Sequence, residues 1–184
     1  KTGASANVFR KGEPGFYSFL HTAMDGPPHD ALFYERAIRI LKDRKEGDAP
    51  FFMFLATSFP HPIYCAPEPW HSMYDPDDLP SLRPVVEAGK PDYHKLIRRY
   101  RDLDKVDESV LRKVMAVYLG MTSYVDHLLG QLLDALEETG LAQETAVVAF
   151  SDHGDWAGDY GLVEKWPSGL DDTLTRVPLI VRSP

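Results

Sequence analysis

The chain has 184 residues, of which 43% are hydrophobic, and its formal net charge is -8. This length and composition suit one globular unit with a sizeable core and exclude a disordered or fibrous chain. A chain this acidic repels phosphate backbones unless its basic residues cluster, which argues against a nucleic-acid partner. The closest approach to a cluster, Arg98, Arg99 and Arg101, is predicted to be a solvated helix face.

Cysteine content and hydropathy set two further bounds. Cys65 is the single cysteine, so an internal disulfide is excluded. The cysteine content therefore does not indicate whether the protein resides in a reducing or an oxidising compartment. No apolar run approaches the roughly 18 residues that a membrane span needs, and Phe51 to Phe59 is far too short. The opening KTGASANVFRKGEPG resembles an interior loop and shows no signal peptide.

The first predicted elements follow this polar opening. Asp30 can cap a helix that runs to about Arg44, with apolar residues at helical spacing. Residues 51–56 have almost no polar alternation, which predicts a central parallel strand buried on both faces. Prolines then recur throughout residues 60–91, which excludes long regular elements and predicts a surface loop.

The second half of the chain is predicted to contain one long helix and two strands. A stripe of apolar residues with period 3.6 indicates a helix from Val110 to Glu138, and Gly140 is a plausible C-cap. Strands are expected at 145–150 and 177–181, with a short turn near Asp171 between them. The pattern favours an α/β fold with parallel strands, in one unit covering residues 1–184.

A candidate site follows the first of these strands. Asp152 and His153 come directly after the apolar run, and ligands in open α/β sheets bind at the carboxyl ends of strands. An acid and an imidazole there can hold a metal or transfer a proton. Asp152 can equally cap the next helix, and the glycines at 154, 158 and 161 can simply shape a loop, so residue types alone leave both readings open.

Three longer blocks of sequence narrow this choice. They are PFFMFLATSFPHPIYCAPEPW at 50–70, the stretch from YLGMTSYVDHLL to AFSDHG at 118–154, and GDYGLVEKWPSGLDDTLTRVPLIVRSP at 158–184. Their order and spacing resemble the sulfatases, metal-dependent hydrolases of the alkaline phosphatase superfamily. The resemblance implies an incomplete alkaline-phosphatase-like fold, with a mostly parallel sheet flanked by helices, and a chain that is part of a larger catalytic domain.

The resemblance also implies roles for four residues. Asp152 and His153 would be metal ligands, His61 would contact a small anionic sulfate ester near its leaving group, and Lys165 would hold an anionic oxygen. His61 and Lys165 are thus the predicted catalytic and substrate-binding residues. The divalent metal is expected to be calcium first, with Mn, Mg or Zn as alternatives, because an imidazole ligand suits calcium poorly.

Each assignment has a structural alternative. His61 could bridge loop carbonyls, Lys165 could be a solvated surface lysine, and Asp152 could cap a turn. The other histidines and Asp126 on the long helix are expected to be structural. These histidines are His21, His29, His71, His94 and His127.

The chain departs from the family at the nucleophile. Sulfatases use a formylglycine made from Cys or Ser in a CxPxR or SxPxR motif, which is absent here. Cys65 has a proline two places later, but Pro69 stands where the motif needs arginine, so Cys65 is predicted to be an ordinary thiol. The nucleophile and the family's paired Asp ligands are expected upstream, leaving half a metal site in this chain.

Three functions therefore remain possible. The first is sulfuric ester hydrolysis, to which this chain contributes part of the site. The second is hydrolysis of phosphonate monoesters or phosphodiesters, by related enzymes with the same Asp-His pair. The third is a catalytically empty fragment or binding module. In each case unpaired strand edges predict that the chain associates or aggregates when made alone.

Overall fold

A computed structural model describes residues 2–86, 88–165 and 169–184. The third sulfatase-like block is therefore described except for residues 166–168. The regular elements are connected by loops and short 3-10 turns. They are α1 (His29–Lys42), α2 (Asp92–Tyr100), α3 (Glu108–Glu138), β1 (Val147–Phe150), α4 (Asp172–Thr175) and β2 (Leu179–Arg182).

The long helix α3 is the centre of the fold, as its apolar stripe predicts. It begins two residues before the predicted start and ends at Glu138. Gly140 follows with a φ of 72°, which is the left-handed geometry of the predicted C-cap. The buried face of α3 contacts α1 through two small clusters, one around Tyr34 and Tyr124 and the other around Leu41 and Leu136.

Asp30 has a different role from the predicted helix cap. Helix α1 already begins at His29, so Asp30 lies in its first turn and no side chain caps the helix. The Asp30 carboxylate instead accepts hydrogen bonds from the backbone N–H groups of Ser58 and Phe59, at 2.7 and 2.6 Å. It thereby fastens α1 to the end of the apolar segment 51–59.

The predicted central strand at 51–56 is wrong in two respects. These residues form no regular element and belong to no β-ladder within the described part of the chain. Phe51 and Met53 pack on the cluster around Leu41, whereas Phe52 and Phe54 are 92% and 70% exposed. A run without polar alternation predicts apolar contact, but it does not show whether one face or both are covered.

The predicted mostly parallel sheet is also corrected. The described residues form one two-stranded sheet in which β1 and β2 are antiparallel, with Val147 opposite Arg182 and Phe150 opposite Leu179. Both strands are shorter than predicted, and β2 begins after Pro178, which cannot donate a ladder hydrogen bond. Several apolar side chains of this pair remain exposed, among them Phe150 and Ile180.

The main core lies between α3 and the two loops that hold the predicted site residues. Its fully buried members include Tyr64 from the proline-rich loop and Trp156 and Leu162 from the segment after β1. Among its described residues, the proline-rich loop before α2 contains short 3-10 turns and isolated β-bridges but no long regular element, as predicted. Both loops are thus packed against the same helix.

The predicted solvated arginine face is wrong for two of its three members. Arg98, on α2, is 3% exposed and its Nε lies 3.0 Å from Asp104. Arg101 is 7% exposed and its guanidinium lies 2.7 Å from the Glu164 carboxylate. The carboxylate partners are distant in sequence or beyond the helix, so local spacing gave no sign of them.

No helix in the described residues is long and apolar enough to cross a membrane.

Candidate active site

The loop after β1 is held by backbone contacts that fix the position of His153. The Ser151 hydroxyl donates to the carbonyl of His153 at 2.7 Å. The N–H of Gly154 donates to the carbonyl of Leu174 in α4 at 2.8 Å. A Cβ at position 154 would overlap the carbonyl oxygen of Thr173, so this close approach of loop and helix requires glycine.

The hydrogen bonds of His153 define which ring nitrogen is protonated. Nδ1 lies 2.7 Å from the carbonyl oxygen of Gly154, and a carbonyl can only accept, so Nδ1 must carry the proton. Nε2 then has a free lone pair, and the ammonium of Lys165 donates to it at 2.6 Å. This is the tautomer in which Nε2 can also ligate a metal.

Lys165 is oriented by the residue before it. Glu164 has a φ of 61°, a left-handed conformation that is rare for a residue with a side chain. Its carboxylate binds Arg101, and its carbonyl accepts from the N–H of Trp156 at 3.1 Å. These contacts hold Glu164 in its unusual conformation and so direct Lys165 toward His153.

His61 lies on the opposite loop and faces His153. The two ring centroids are 5.9 Å apart at an interplanar angle of 78°. His61 Nδ1 lies 2.8 Å from the carbonyl oxygen of Pro62, which can only accept, so Nδ1 carries a proton, and Nε2 makes no hydrogen bond within the described residues. The side chain therefore makes the loop contact proposed as its structural alternative.

The side chain of Asp152 is largely exposed. Its exposed fraction is 84%, and its Oδ1 lies 3.7 Å from His153 Nε2. One carboxylate and one imidazole are suitable donors for a divalent cation. The described residues contain no group of three or more potential ligands, so the pair amounts to half a site, and metal binding stays a prediction.

All four predicted residues lie together, with His153 in the middle. Its Nε2 contacts Lys165 and approaches Asp152, while its ring faces His61. This places a cation, a carboxylate and two imidazoles, from segments far apart in sequence, around one exposed loop. Such a set can bind an anion, hold a cation and transfer a proton.

Two residues that sequence reasoning missed lie beneath this site. The hydroxyl of Tyr64 donates to Asp155 at 2.7 Å and accepts from the N–H of Glu164 at 2.8 Å. Burial raises the pKa of the Asp155 carboxyl, and burial beside that carboxylate raises the pKa of Tyr64 well above its ordinary value. Tyr64 follows His61 by three residues and Asp155 follows His153 by two, but no periodicity marks either.

A second buried network supports α4. Asp171 accepts from Lys90 at 2.6 Å and from Trp156 Nε1 at 3.2 Å, and it lies 2.7 Å from His94 Nε2. Burial alone would raise the pKa of Asp171, but hydrogen bonds with Lys90 and His94 outweigh it and hold the pKa below its usual value. The turn predicted near Asp171 is thus a short helix anchored by ionic contacts.

The fold is similar to the solved structures of two phosphonate monoester hydrolases. Phosphonate monoester hydrolase of Agrobacterium radiobacter matches with a TM-score of 0.68 and 27% identity, over 84% of this chain and 33% of that one. The phosphonate monoester hydrolase SpPMH from Silicibacter pomeroyi matches with a TM-score of 0.60 and 22% identity. This match covers 96% of the present chain and 39% of the SpPMH chain. The fold is therefore alkaline-phosphatase-like.

The family follows from sequence comparison. The sulfatase family model matches residues 5–184, so the chain belongs to the sulfatase family, as its three blocks predict. The multifunctional alkaline phosphatase superfamily protein PehA of Trinickia caryophylli is 32% identical over 169 residues, covering 82% of this chain. Human iduronate 2-sulfatase is 30% identical over 178 residues, covering 87%. The chain spans 32% and 31% of these two relatives, about a third of their lengths.

Proposed function

We propose that the protein containing this chain is a sulfuric ester hydrolase, and that the chain supplies His61, Asp152, His153 and Lys165 to its site. The observation that supports this most is the position of His153, whose Nε2 is free of protons and lies 2.6 Å from the Lys165 ammonium. Family membership makes hydrolysis of an ester of a strong oxyanion the relevant reaction class.

Lys165 is proposed to bind an anionic oxygen of the sulfate group. In sulfuryl transfer negative charge spreads over the oxygens, so an ammonium held in place stabilises the transition state without reorganising. Glu164 and Arg101 fix the backbone that directs this ammonium. The substrate oxygen is therefore proposed to bind next to the contact between the Lys165 ammonium and His153 Nε2.

His61 is proposed to protonate the departing alkoxide. Its Nδ1 is occupied by the carbonyl of Pro62, so only Nε2 can face a substrate. When that nitrogen is protonated, the imidazolium can donate a proton to the leaving-group oxygen as a general acid. His61 is exposed on the proline-rich loop, which gives an ester oxygen access to it.

Asp152 and His153 are proposed to hold a divalent cation, through the carboxylate and Nε2 respectively. When bound, the cation would neutralise charge on the sulfate oxygens. Calcium is the first candidate by family, with Mn, Mg or Zn as alternatives, and an imidazole suits Mn or Zn better than it suits calcium. Such binding would replace the hydrogen bond that Lys165 donates to His153.

The nucleophile is proposed to be a formylglycine outside residues 1–184. Cys65 is a poor alternative because it is buried and burial raises the pKa of its thiol. Pro69 also occupies the position where the modification motif needs arginine. We therefore expect the 184-residue chain by itself to be inactive.

Phosphonate monoester or phosphodiester hydrolysis is the second candidate. It is favoured by the likeness to phosphonate monoester hydrolases and to PehA, and by a histidine in the candidate metal pair. A third possibility, a catalytically empty binding module, predicts no turnover and weak metal binding.

The deciding experiment compares the full-length protein with its Asp152→Ala variant on an aryl sulfate, with divalent metal added. Loss of turnover in a variant that keeps its thermal unfolding profile would support the sulfatase proposal and the metal role of Asp152. Turnover of an aryl phosphonate or phosphodiester instead would favour the second candidate. If the protein hydrolysed none of these esters, the catalytically empty binding module would be the favoured interpretation.

A further inference from the structure

One buried hydroxyl links the three segments that form the candidate site. The backbone of Tyr64 belongs to the proline-rich loop, three residues after His61. Its hydroxyl donates to Asp155, two residues after His153, and accepts from the N–H of Glu164, the neighbour of Lys165. The side chain is fully buried, so water cannot replace either hydrogen bond.

The two ends of Tyr64 are both fixed. At the backbone, its N–H donates to the carbonyl of Phe19 and its carbonyl accepts from His21, both at 3.0 Å. At the other end, the Asp155 oxygen that binds the hydroxyl also accepts from the N–H of Ala157 at 2.7 Å. The tyrosine is therefore a rigid spacer between the loop of His61 and the loop of His153.

Glu164 transmits this constraint to Lys165. Its N–H is held by the Tyr64 hydroxyl and its carboxylate by Arg101, while its backbone keeps a φ of 61°. A residue in this conformation relaxes when its hydrogen bonds are removed. Any relaxation turns the peptide that leads into Lys165 and moves the ammonium away from His153.

We propose that Tyr64 is a positioning residue of the site: its hydroxyl sets the distance between Lys165 and His153 and holds His61 opposite them. This inference rests on the proposed function, because it assigns Tyr64 to the same reaction. Tyr64 does not touch the substrate. It acts because charge stabilisation depends on the placement of the ammonium, and a misplacement of about 1 Å can lower a rate a hundredfold.

The kinetic test is Tyr64→Phe in the full-length protein, with Tyr118→Phe as the matched control. The Tyr118 ring lies 6.3 Å from that of Tyr64, and burial raises its pKa to about 12, but its hydroxyl makes no hydrogen bond within the described residues. We expect kcat to fall roughly ten- to a hundredfold in Tyr64→Phe with a much smaller change in KM. Tyr118→Phe should keep its kcat, and a kcat within threefold of wild type in Tyr64→Phe would overturn the inference.

A second readout does not require turnover. In metal-free protein labelled with 15N-histidine, the Nε2 and Nδ1 resonances of His153 report its contact with Lys165 and its tautomer. We expect these signals to shift in Tyr64→Phe and to stay unchanged in Tyr118→Phe, with His127 as an internal reference. A merely structural role would lower the thermal midpoint but leave the signals of folded molecules in place, and that result would overturn the proposal.

The two readouts separate this inference from the proposed function. If the wild-type protein hydrolyses none of the esters, the proposed function fails and the histidine resonances still decide the role of Tyr64. If Tyr64→Phe does not fold, Arg101→Gln releases Glu164 at its other anchor. We expect that variant to shift the His153 resonances from their wild-type positions, and unchanged resonances there would overturn the inference.

Discussion

At the scale of single residues, the candidate site depends on one cation, Lys165, whose position is set by contacts outside the site. The Lys165→Met variant keeps most of the apolar stem and removes the ammonium. We expect kcat/KM on the best ester substrate to fall about 100- to 1,000-fold, because a preplaced charge at the reacting oxygens is lost. Steady-state kinetics on the full-length protein would measure this.

The matched control for that variant is Lys105→Met. Lys105 is exposed and pairs with Asp102 three residues before it, at 2.7 Å, a contact of little energetic value at the surface. Its kinetics should equal those of wild type. If Lys165→Met also retained wild-type kinetics, Lys165 would be the solvated lysine of the alternative reading.

The second residue-scale prediction concerns Asp171 and pH. Its pKa is held below the ordinary value, so the folded state favours the charged form more than the unfolded state does. This stabilisation is complete above the unfolded pKa near 3.9 and is lost as pH falls below about 4. The thermal unfolding midpoint of wild type should therefore fall as the pH is lowered below about 4.

Asp171→Asn is the variant that tests this assignment. At neutral pH it should lower the free energy of unfolding by roughly 2 kcal/mol, because the buried partners lose their carboxylate. Its midpoint should then depend less on pH in the acid range than that of wild type. Parallel pH curves for the two proteins would show that another group causes the acid loss.

At the scale of elements, the packing of α3 against the 3-10 turn at Trp70–Ser72 can be tested with two glycines. A Cβ at Gly120 would overlap the backbone carbonyl of Trp70, whereas Gly130 has open space around the same position. Gly120→Ala should destabilise the protein by roughly 2 kcal/mol because a backbone group must move. Gly130→Ala should stabilise it by about 0.5–1 kcal/mol through helix propensity.

Denaturant unfolding of both variants would measure the difference. Each substitution makes the same chemical change inside the same helix, so propensity cancels in the comparison. If Gly120→Ala were as stable as Gly130→Ala, the turn would not be held tightly against α3.

At the scale of the whole molecule, the exposed apolar side chains of residues 51–56 and of the β1–β2 pair predict self-association. Phe52, Phe54, Leu179 and Ile180 are all at least 63% exposed, and exposed apolar patches and unpaired strands favour contact between chains. We expect the 184-residue chain to sediment as oligomers at concentrations of tens of micromolar.

The combined variant Phe52→Glu with Ile180→Glu should reduce this association. Leu96→Glu, a charge placed at an exposed leucine on α2, is the control and should sediment like wild type. A single sharp monomer peak for wild type at high concentration would contradict the prediction.

The sequence by itself determined those features whose cause is local. The stripe of α3 repeats every 3.6 residues, Gly140 meets the backbone demand of a helix end, and the prolines exclude regular structure from 60 to 91. The residues SDHG and PHP, with a lysine twelve positions after His153, were recognisable as a family pattern. The structure brings these three segments together.

Only the tertiary structure decided features that depend on distant partners. The apolar run at 51–56 is covered on one face, β1 pairs antiparallel with β2, and Arg98 and Arg101 are buried beside carboxylates. The contact between Tyr64 and Asp155 joins residues 91 positions apart. Local spacing encodes which face of a segment is apolar, but it does not encode what packs against that face, and burial and hydrogen bonding depend on the packing.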